Sequence, residues 1–133
     1  MIENESDLWA AITADPTLRN WFLERFEDRS RGGVPDAYAG AGNRRLWIEL
    51  KVDRITWRRG QTAWAMRAAQ RGERAVCLLW RKGAAEIHDT ALCGHALLFE
   101  QPKPNAVYTG PNPGDALRWA MTKFRSQIRR VKR

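Results

Sequence analysis

The strongest constraint on the fold is a nine-residue run at positions 44–52, RRLWIELKV. Because side chains alternate between the two faces of a β-strand, its four aliphatic residues, beginning with Leu46, share one face, and Glu49 and Lys51 share the other. We therefore predict a strand that packs on a core through its aliphatic face. If helices also cover the charged face, the carboxylate must be paired or bound to a metal ion, because an unpaired buried charge is costly.

The neighbouring segments predict an α/β domain. The turn residues GAGN at 40–43 join a short strand in VPDAYAG to the run at 44–52, which gives a β-hairpin. The apolar run RAVCLLW predicts a central strand covered on both faces, and AAEIHDT predicts a last edge strand. Helices are predicted over 6–14, in DPTLRNWFLERF, in TWRRGQTAWAMRAAQRG and through GHALLFE. This order of elements predicts a mixed β-sheet flanked by helices.

The C-terminal third predicts a separate helix. Residues 101–114 contain four of the six prolines and predict a Pro/Gly-rich linker between a core at 1–100 and a basic amphipathic helix at 115–133. Leu117, Met121 and Phe124 form an apolar stripe on this helix. The stripe must be covered by the domain itself or by a partner chain, so we expect a homodimer in which the helix is exchanged.

The composition favours a polyanionic partner. Lys and Arg number 23 against 15 Asp and Glu, which gives a net charge of +8, and such a balance is typical of proteins that bind nucleic acid. The N-terminal MIENESDLWAA resembles no signal peptide, and no apolar run is long enough to span a bilayer. A cytoplasmic protein without a membrane partner is expected. Cys77 and Cys93 lack the spacing of a zinc site or a disulfide framework.

Two acids and a lysine on the hairpin form a candidate metal site. The two arms can place Asp36 beside Glu49, and two carboxylates with water and phosphate oxygens are a ligand set that Mg²⁺ prefers. Lys51, on the same face as Glu49, can orient or activate a water or balance charge on a phosphate. Gln61 lies with Trp64 in the apolar stripe of the next predicted helix, where a buried amide needs a partner.

Each of these residues also has an ordinary explanation. An E-x-K triplet is frequent by chance, and Glu49 with Lys51 can be a solvated surface pair. Asp36 after a proline is a common turn residue, and Gln61 can face water. The order in which these residues follow one another is more specific than any one of them alone. It consists of P-D, a Gly-rich turn, an apolar strand ending in E-L-K, and a helix with Q-x-x-W.

This order resembles the PD-(D/E)xK nuclease superfamily, and most closely its VRR-NUC branch, which is similar to Holliday-junction resolvases. The resemblance covers about residues 25–80. The matching residues are Pro35, Asp36, Glu49, Leu50, Lys51, Gln61 and Trp64. The resemblance implies a restriction-endonuclease-like fold, dependence on Mg²⁺ or Mn²⁺, and cleavage of DNA, often branched or flapped, in phage or DNA repair.

The resemblance also implies a role for each matching residue. Asp36 and Glu49 would bind the metal with the carbonyl of Leu50, Lys51 would be the catalytic lysine, and Gln61 would be the active-site helix residue. The superfamily tends to place a further acid upstream, for which the best match is Glu27, with the alternatives Glu24 and Asp28. Candidate DNA-binding residues are Arg54, Arg58, Arg59, Arg67, Arg125, Arg129 and Arg130.

The sequence therefore predicts a metal-dependent DNA endonuclease, encoded by a phage or prophage, that selects DNA structure over sequence. The alternative is a catalytically inactive nucleic-acid-binding protein with the same fold. A third hypothesis is an assembly or regulatory protein that uses the C-terminal helix as its dimer surface. Cleavage in the presence of a divalent ion would support the nuclease, and salt-sensitive binding without cleavage would support the inactive nucleic-acid-binding protein. The absence of both cleavage and binding would leave the assembly or regulatory protein.

Overall fold

The structure, a computed structural model, describes residues 1–26, 33–58 and 60–128. Within these ranges four α-helices and six β-strands follow one another, with a single turn of 3₁₀ helix at Pro16–Leu18. The helices are α1 (Glu5–Thr13), α2 (Gln61–Gln70), α3 (Thr90–Leu98) and α4 (Pro113–Lys123). The strands are β1 (Phe22–Arg25), β2 (Ala37–Ala41), β3 (Arg44–Val52), β4 (Ala75–Arg81), β5 (Ala84–Asp89) and β6 (Tyr108–Gly110). None of the described helices is long and apolar enough to cross a membrane.

The six strands form one mixed sheet in the order in which they occur in the chain. All neighbouring strands are antiparallel except β3 and β4, which are parallel. A parallel pair needs a crossover connection, and α2 provides it by running back across the sheet. The predicted α/β class, the hairpin of β2 and β3 and the central position of β4 are all confirmed.

Helices cover both faces of the sheet. Leu46, Ile48 and Leu50 are fully buried in the larger core, which α1 and α4 close. On the opposite face a smaller cluster of alanines from α2, α3 and β4 packs with Trp47 and Trp64. The predicted aliphatic face of β3 is therefore confirmed, and its charged face lies beneath α2.

The helix predicted in residues 15–26 is wrong. Asp15 does cap a helical turn, because its carboxylate accepts a 2.9 Å hydrogen bond from the Thr17 amide, but the turn ends at Leu18. The chain then enters β1, which pairs with β2 at the edge of the sheet. Pairing with a strand that comes later in the chain outweighs the local i, i+4 apolar pattern.

The segment expected to be a linker and a separate helix also differs from the prediction. Residues 101–114 include β6, which pairs outside β5, so β5 is not the edge strand. Helix α4 begins at Pro113 and ends at Lys123, and residues 129–133 lie outside the described part of the chain. Leu117, Met121 and Phe124 are buried in the larger core of their own domain. The reason for expecting an exchanged helix or a dimer surface at this stripe is therefore removed.

We predict that Leu117→Ala lowers the free energy of unfolding by about 2–5 kcal/mol, because it leaves a cavity between α4 and the sheet. Urea denaturation measures the change. Lys123→Ala, at an exposed position of the same helix, is the matched control and should change stability little. Unchanged stability of Leu117→Ala together with an altered oligomeric state would mean that another copy of the chain covers α4.

Candidate active site

The register of the hairpin places Asp36 beside Glu49. Ala37 lies opposite Ile48, so the next residue pair of the antiparallel arrangement is Asp36 and Glu49, whose side chains share a face. The amide of Leu50 donates a 3.0 Å hydrogen bond to Oδ2 of Asp36. The main chain of β3 thus fixes the carboxyl group that stands next to the strand's own glutamate.

Glu49 is held in a strongly unfavourable environment for a charge. It is only 3% exposed, and its pKa rises to about 8 because burial disfavours the ionised form. The charge of Asp36 and a side-chain hydrogen bond with it raise the pKa further, while the charges of Lys51 and Arg58 lower it. Two adjacent carboxyl groups of this kind favour a cation between them.

Lys51 belongs to the same buried cluster. Its Nζ lies 3.6 Å from Oε2 of Glu49, and the residue is 8% exposed. The interpretation of these two residues as a solvated surface pair is therefore wrong. The buried side chain holds the ammonium group at the edge of the carboxyl pair, where it can also contact a group that is bound by the two carboxylates.

Gln61, the first residue of α2, joins the helix to the carboxyl pair. Its Nε2 donates a 2.7 Å hydrogen bond to Oε2 of Glu49, and its Oε1 accepts a 2.6 Å hydrogen bond from the Arg58 amide. The residue is buried, and Glu49 is the partner that such a buried amide needs. Because one end of the amide meets an N–H donor, its NH₂ group is directed at the glutamate.

Two glycines allow these elements to meet. A Cβ on Gly33 would lie 2.3 Å from the carbonyl oxygen of Gly60, and both residues have positive φ angles, where glycine is unstrained. The segment leading to Asp36 therefore contacts the residue before α2 through bare main chain. Trp64 of α2 packs edge-on against Trp47 of β3, with ring centroids 5.2 Å apart.

The predicted DNA-binding arginines fall into two regions. Arg54 and Arg58 are exposed in the loop between Lys51 and α2, and Arg67 is exposed on α2. Arg125 is exposed beyond α4, near the start of β3 and far from the carboxyl pair. Three others, Arg59, Arg129 and Arg130, lie outside the described residues.

The upstream acid has no described member in the site. Glu27 and Asp28 lie outside the described residues. Glu24 is exposed on β1 and pairs with Tyr38 rather than with Asp36. Glu24 therefore lies on the same face of the sheet as Asp36, but beside Tyr38, which is two residues further along the chain.

The donors present fit a small divalent ion. Across residues 1–26, 33–58 and 60–128, no three His, Cys, Asp or Glu side chains converge as a metal-binding group. The Leu50 carbonyl is a candidate third donor, since the N–H and C=O of one strand residue point to the same side and that N–H binds Asp36. Mg²⁺ commonly uses one or two carboxylates and completes its shell with water and substrate oxygens.

The histidines and the nearest cysteine add no group to this site. Cys77 lies opposite Glu49 on β4, and burial raises the pKa of its thiol, so it acts as a small buried apolar residue. His88, on the next strand, places Nε2 2.8 Å from Oε1 of Glu86. His95 is buried in α3 against the ring of Phe99.

We predict that Glu49→Gln raises the melting temperature in EDTA at about pH 9. A carboxyl group with a folded pKa of about 8 stabilises the fold while it is protonated, and this contribution is lost as the pH rises from about 4.5 to 8. The amide avoids that loss, so the difference should be several degrees at about pH 9 and should vanish below about pH 5. Differential scanning calorimetry measures it.

The same experiment tests whether a divalent ion binds. Mg²⁺ should raise the melting temperature of the wild-type protein and not that of Glu49→Gln, because only the carboxylate favours the ion. Glu3→Gln, which changes an exposed acid near the N-terminus, is the control and should melt like the wild type. Equal pH dependence of wild type and Glu49→Gln would show that Glu49 is not held in an unfavourable pair.

Comparison with known protein families finds no match, and comparison with curated proteins finds none either. Among solved structures, the chain is similar to Hjc, a Holliday junction resolvase from the archaeal hyperthermophile Archaeoglobus fulgidus. The sequence identity is 19% and the TM-score is 0.46, over 76% of this chain and 78% of that chain. A match at this level assigns no role to any residue, so the roles below depend on the geometry of the site.

Proposed function

We propose that the protein is a divalent-metal-dependent DNA endonuclease that hydrolyses phosphodiester bonds and selects its substrates by DNA structure. The observation that carries the proposal is the contact of the half-buried Asp36 with the buried Glu49, with the Lys51 ammonium 3.6 Å from Glu49. A structural ion pair needs only one carboxyl group for one lysine. The second carboxyl group makes the cluster unfavourable as it stands, and a bound divalent cation would reverse that effect.

Each residue of the cluster would have a different role in hydrolysis. Asp36, Glu49 and the Leu50 carbonyl would hold Mg²⁺ or Mn²⁺, and the bound ion supplies Lewis-acid stabilisation of the phosphate charge. Lys51 places a fixed positive charge beside the ion's ligands, where it can stabilise negative charge on the phosphate or orient the attacking water. Gln61 keeps the Glu49 carboxylate in one orientation through its 2.7 Å hydrogen bond.

The charge of the protein supports a nucleic acid substrate. The net charge is +8, and the exposed Arg54 and Arg58 lie on the loop that links Lys51 to α2. Arginines on phosphates give affinity without reading bases, which favours recognition of DNA shape. Branched DNA such as junctions and flaps is the substrate class that the resemblance of the P-D, E-L-K and Q-x-x-W residues to VRR-NUC nucleases implies.

The setting of the activity stays a prediction from the sequence. A phage or prophage protein acting in the cytoplasm of its host is consistent with the resemblance. Two symmetric cuts in a four-way junction need two active sites, so junction resolution would require a homodimer. A monomer would instead favour cleavage of flaps or of single branches.

We predict that Lys51→Ala lowers Mg²⁺-dependent cleavage of DNA at least about 100-fold, because it removes a charge that acts on the transition state. DNA binding in EDTA should stay within about twofold, since Lys51 is buried and one of many cations. The measurement uses a panel of labelled junction, flap, single-stranded and duplex DNAs with Mg²⁺ or Mn²⁺. Asp36→Asn should give the same result through loss of a metal ligand.

Lys103→Ala is the matched control, because Lys103 is exposed in the segment before β6. Its cleavage rate should equal that of the wild type. Cleavage by Lys51→Ala at the wild-type rate would remove the proposed role of the lysine. Salt-sensitive binding without cleavage of any substrate, with either ion, would favour the inactive nucleic-acid-binding protein instead.

A further inference from the structure

The sheet face that carries the carboxyl pair continues to the outer strands. Phe22 of β1 lies opposite Gly40 of β2, and Gly40 lies opposite Arg45 of β3. Residues directly opposite one another share a face, so these three form a row on the same face as Glu49. The row stands four residues along β3 from Glu49, a separation of about 13 Å.

Phe22 is an exposed aromatic residue at an open groove. It is 59% exposed, although its ring meets that of Tyr38 edge-on with centroids 6.1 Å apart. The groove has a volume of about 590 Å³, and Phe22 and Tyr38 border it together with Arg44 and Arg45. Gly40 keeps the floor free of a side chain between the aromatic and the basic border. No acidic residue of the described chain lines this groove.

A second cavity adjoins the groove and adds two arginines. It has a volume of about 510 Å³, shares Arg44 and Arg45 with the groove, and is also lined by Arg74 and Arg125. Of the described residues that line it, Glu73 alone is acidic, and one of its oxygens lies 3.3 Å from the Arg45 guanidinium. Four guanidinium groups thus face the two spaces with one carboxylate among them.

Hydrogen bonds to main-chain carbonyls use only some of the N–H groups of these arginines. Arg74 donates to the carbonyls of Ala120 and Met121 at the end of α4, at 3.1 and 2.9 Å, which is an ordinary helix C-terminal contact. Arg44 and Arg125 each engage a carbonyl through a single terminal nitrogen. These contacts hold both guanidinium groups in place and leave further N–H groups on each for another acceptor.

Neither Phe22 nor Arg45 is explained by packing. The side chain of Arg45 is 62% exposed, and Phe22 contributes nothing buried to either core cluster. An aromatic ring exposed beside a positively charged groove is the combination that holds single-stranded nucleic acid, with bases on the ring and phosphates on the arginines. A duplex does not offer its base faces to such a ring.

We propose that this groove binds an unpaired stretch of a DNA strand, with one base stacked on Phe22 and phosphates on Arg44, Arg45 and Arg125. The inference rests on the proposed function, since the same strand would reach the carboxyl pair. Trp47 lies between Arg45 and Glu49 on this face and packs against Trp64 of α2, so the strand would pass around this aromatic pair and cover more than the direct distance of about 13 Å. The preferred substrate therefore has an unpaired arm on the β1 side of the cleaved bond.

Binding without catalysis tests the stacking contact. Fluorescence anisotropy in EDTA with labelled oligothymidylate should show about 5- to 100-fold weaker binding by Phe22→Ala, the range for one base on an aromatic ring. Phe22→Trp should retain wild-type affinity, and Phe22→Leu, apolar but without a ring, should lose it. Binding of blunt duplex should be equal in all four proteins. A 2-aminopurine base in the oligonucleotide should be quenched by the wild type and not by Phe22→Ala.

The arginine contacts have their own readout. Arg45→Gln should reduce the slope of log affinity for the single strand against log salt by about 0.7, the change for one lost phosphate contact. Lys103→Gln removes an exposed charge far from the groove and should leave that slope unchanged. Inorganic phosphate should compete weakly with the oligonucleotide, because it lacks the base that stacks on Phe22.

The outcomes separate this inference from the proposed function. If the protein cleaves DNA but Phe22→Ala and Arg45→Gln bind the single strand as tightly as the wild type, the groove proposal is wrong and the nuclease proposal stands. If binding of the single strand depends on Phe22 but the protein cleaves no DNA, the nuclease proposal is wrong and the groove proposal stands. The groove proposal is also refuted if Phe22→Ala weakens binding of the single strand and of the duplex equally. It is refuted as well if inorganic phosphate displaces the oligonucleotide equally from the wild type and from Phe22→Ala.

Discussion

The contact between the carboxyl groups of Asp36 and Glu49 is the constraint on which the site depends. A half-buried acid beside a buried one opposes folding, and three groups of the chain hold the two acids together. The Leu50 amide binds Asp36 at 3.0 Å, the side-chain amide of Gln61 binds Glu49 at 2.7 Å, and the Lys51 ammonium lies 3.6 Å from Glu49. Since these groups come from β3 and α2, and Asp36 directly precedes β2, the acids stay together only if the whole arrangement forms.

The parallel pairing of β3 and β4 explains why a helix begins at this point. A crossover must return the chain to the start of β4, so α2 begins near the end of β3, where Glu49 and Lys51 lie. Gln61, the first residue of this helix, then meets Glu49 through its side-chain amide. The close passage of Gly33 against Gly60 then lets the segment before β2 reach the same place. A phosphate at this position would meet the lysine, the helix end and the exposed Arg58.

The parts of the site that the sequence predicts are those set by short-range rules. Alternation along β3 and the register of one hairpin are enough to bring Asp36, Glu49 and Lys51 to one face, and a buried amide at position 61 needs a partner nearby. Longer-range features are not readable in this way. The edge strand β1 has a helix-like apolar spacing and is decided by pairing with β2. Strand β6 has three residues among prolines, and the contact of Gly33 with Gly60 depends on the tertiary fold.

The hairpin of β2 and β3 ties the groove to the carboxyl pair. Gly40 and Arg45 of the groove lie on the same face of these two strands as the carboxyl pair, and Phe22 of β1 continues the row beside Gly40. A single strand bound at Phe22 and Arg45 would therefore approach Glu49 and Lys51 from one fixed side of the sheet. Under the proposed function, structure-selective cleavage would need no base readout, since the position of an unpaired arm in the groove would determine which bond meets the site.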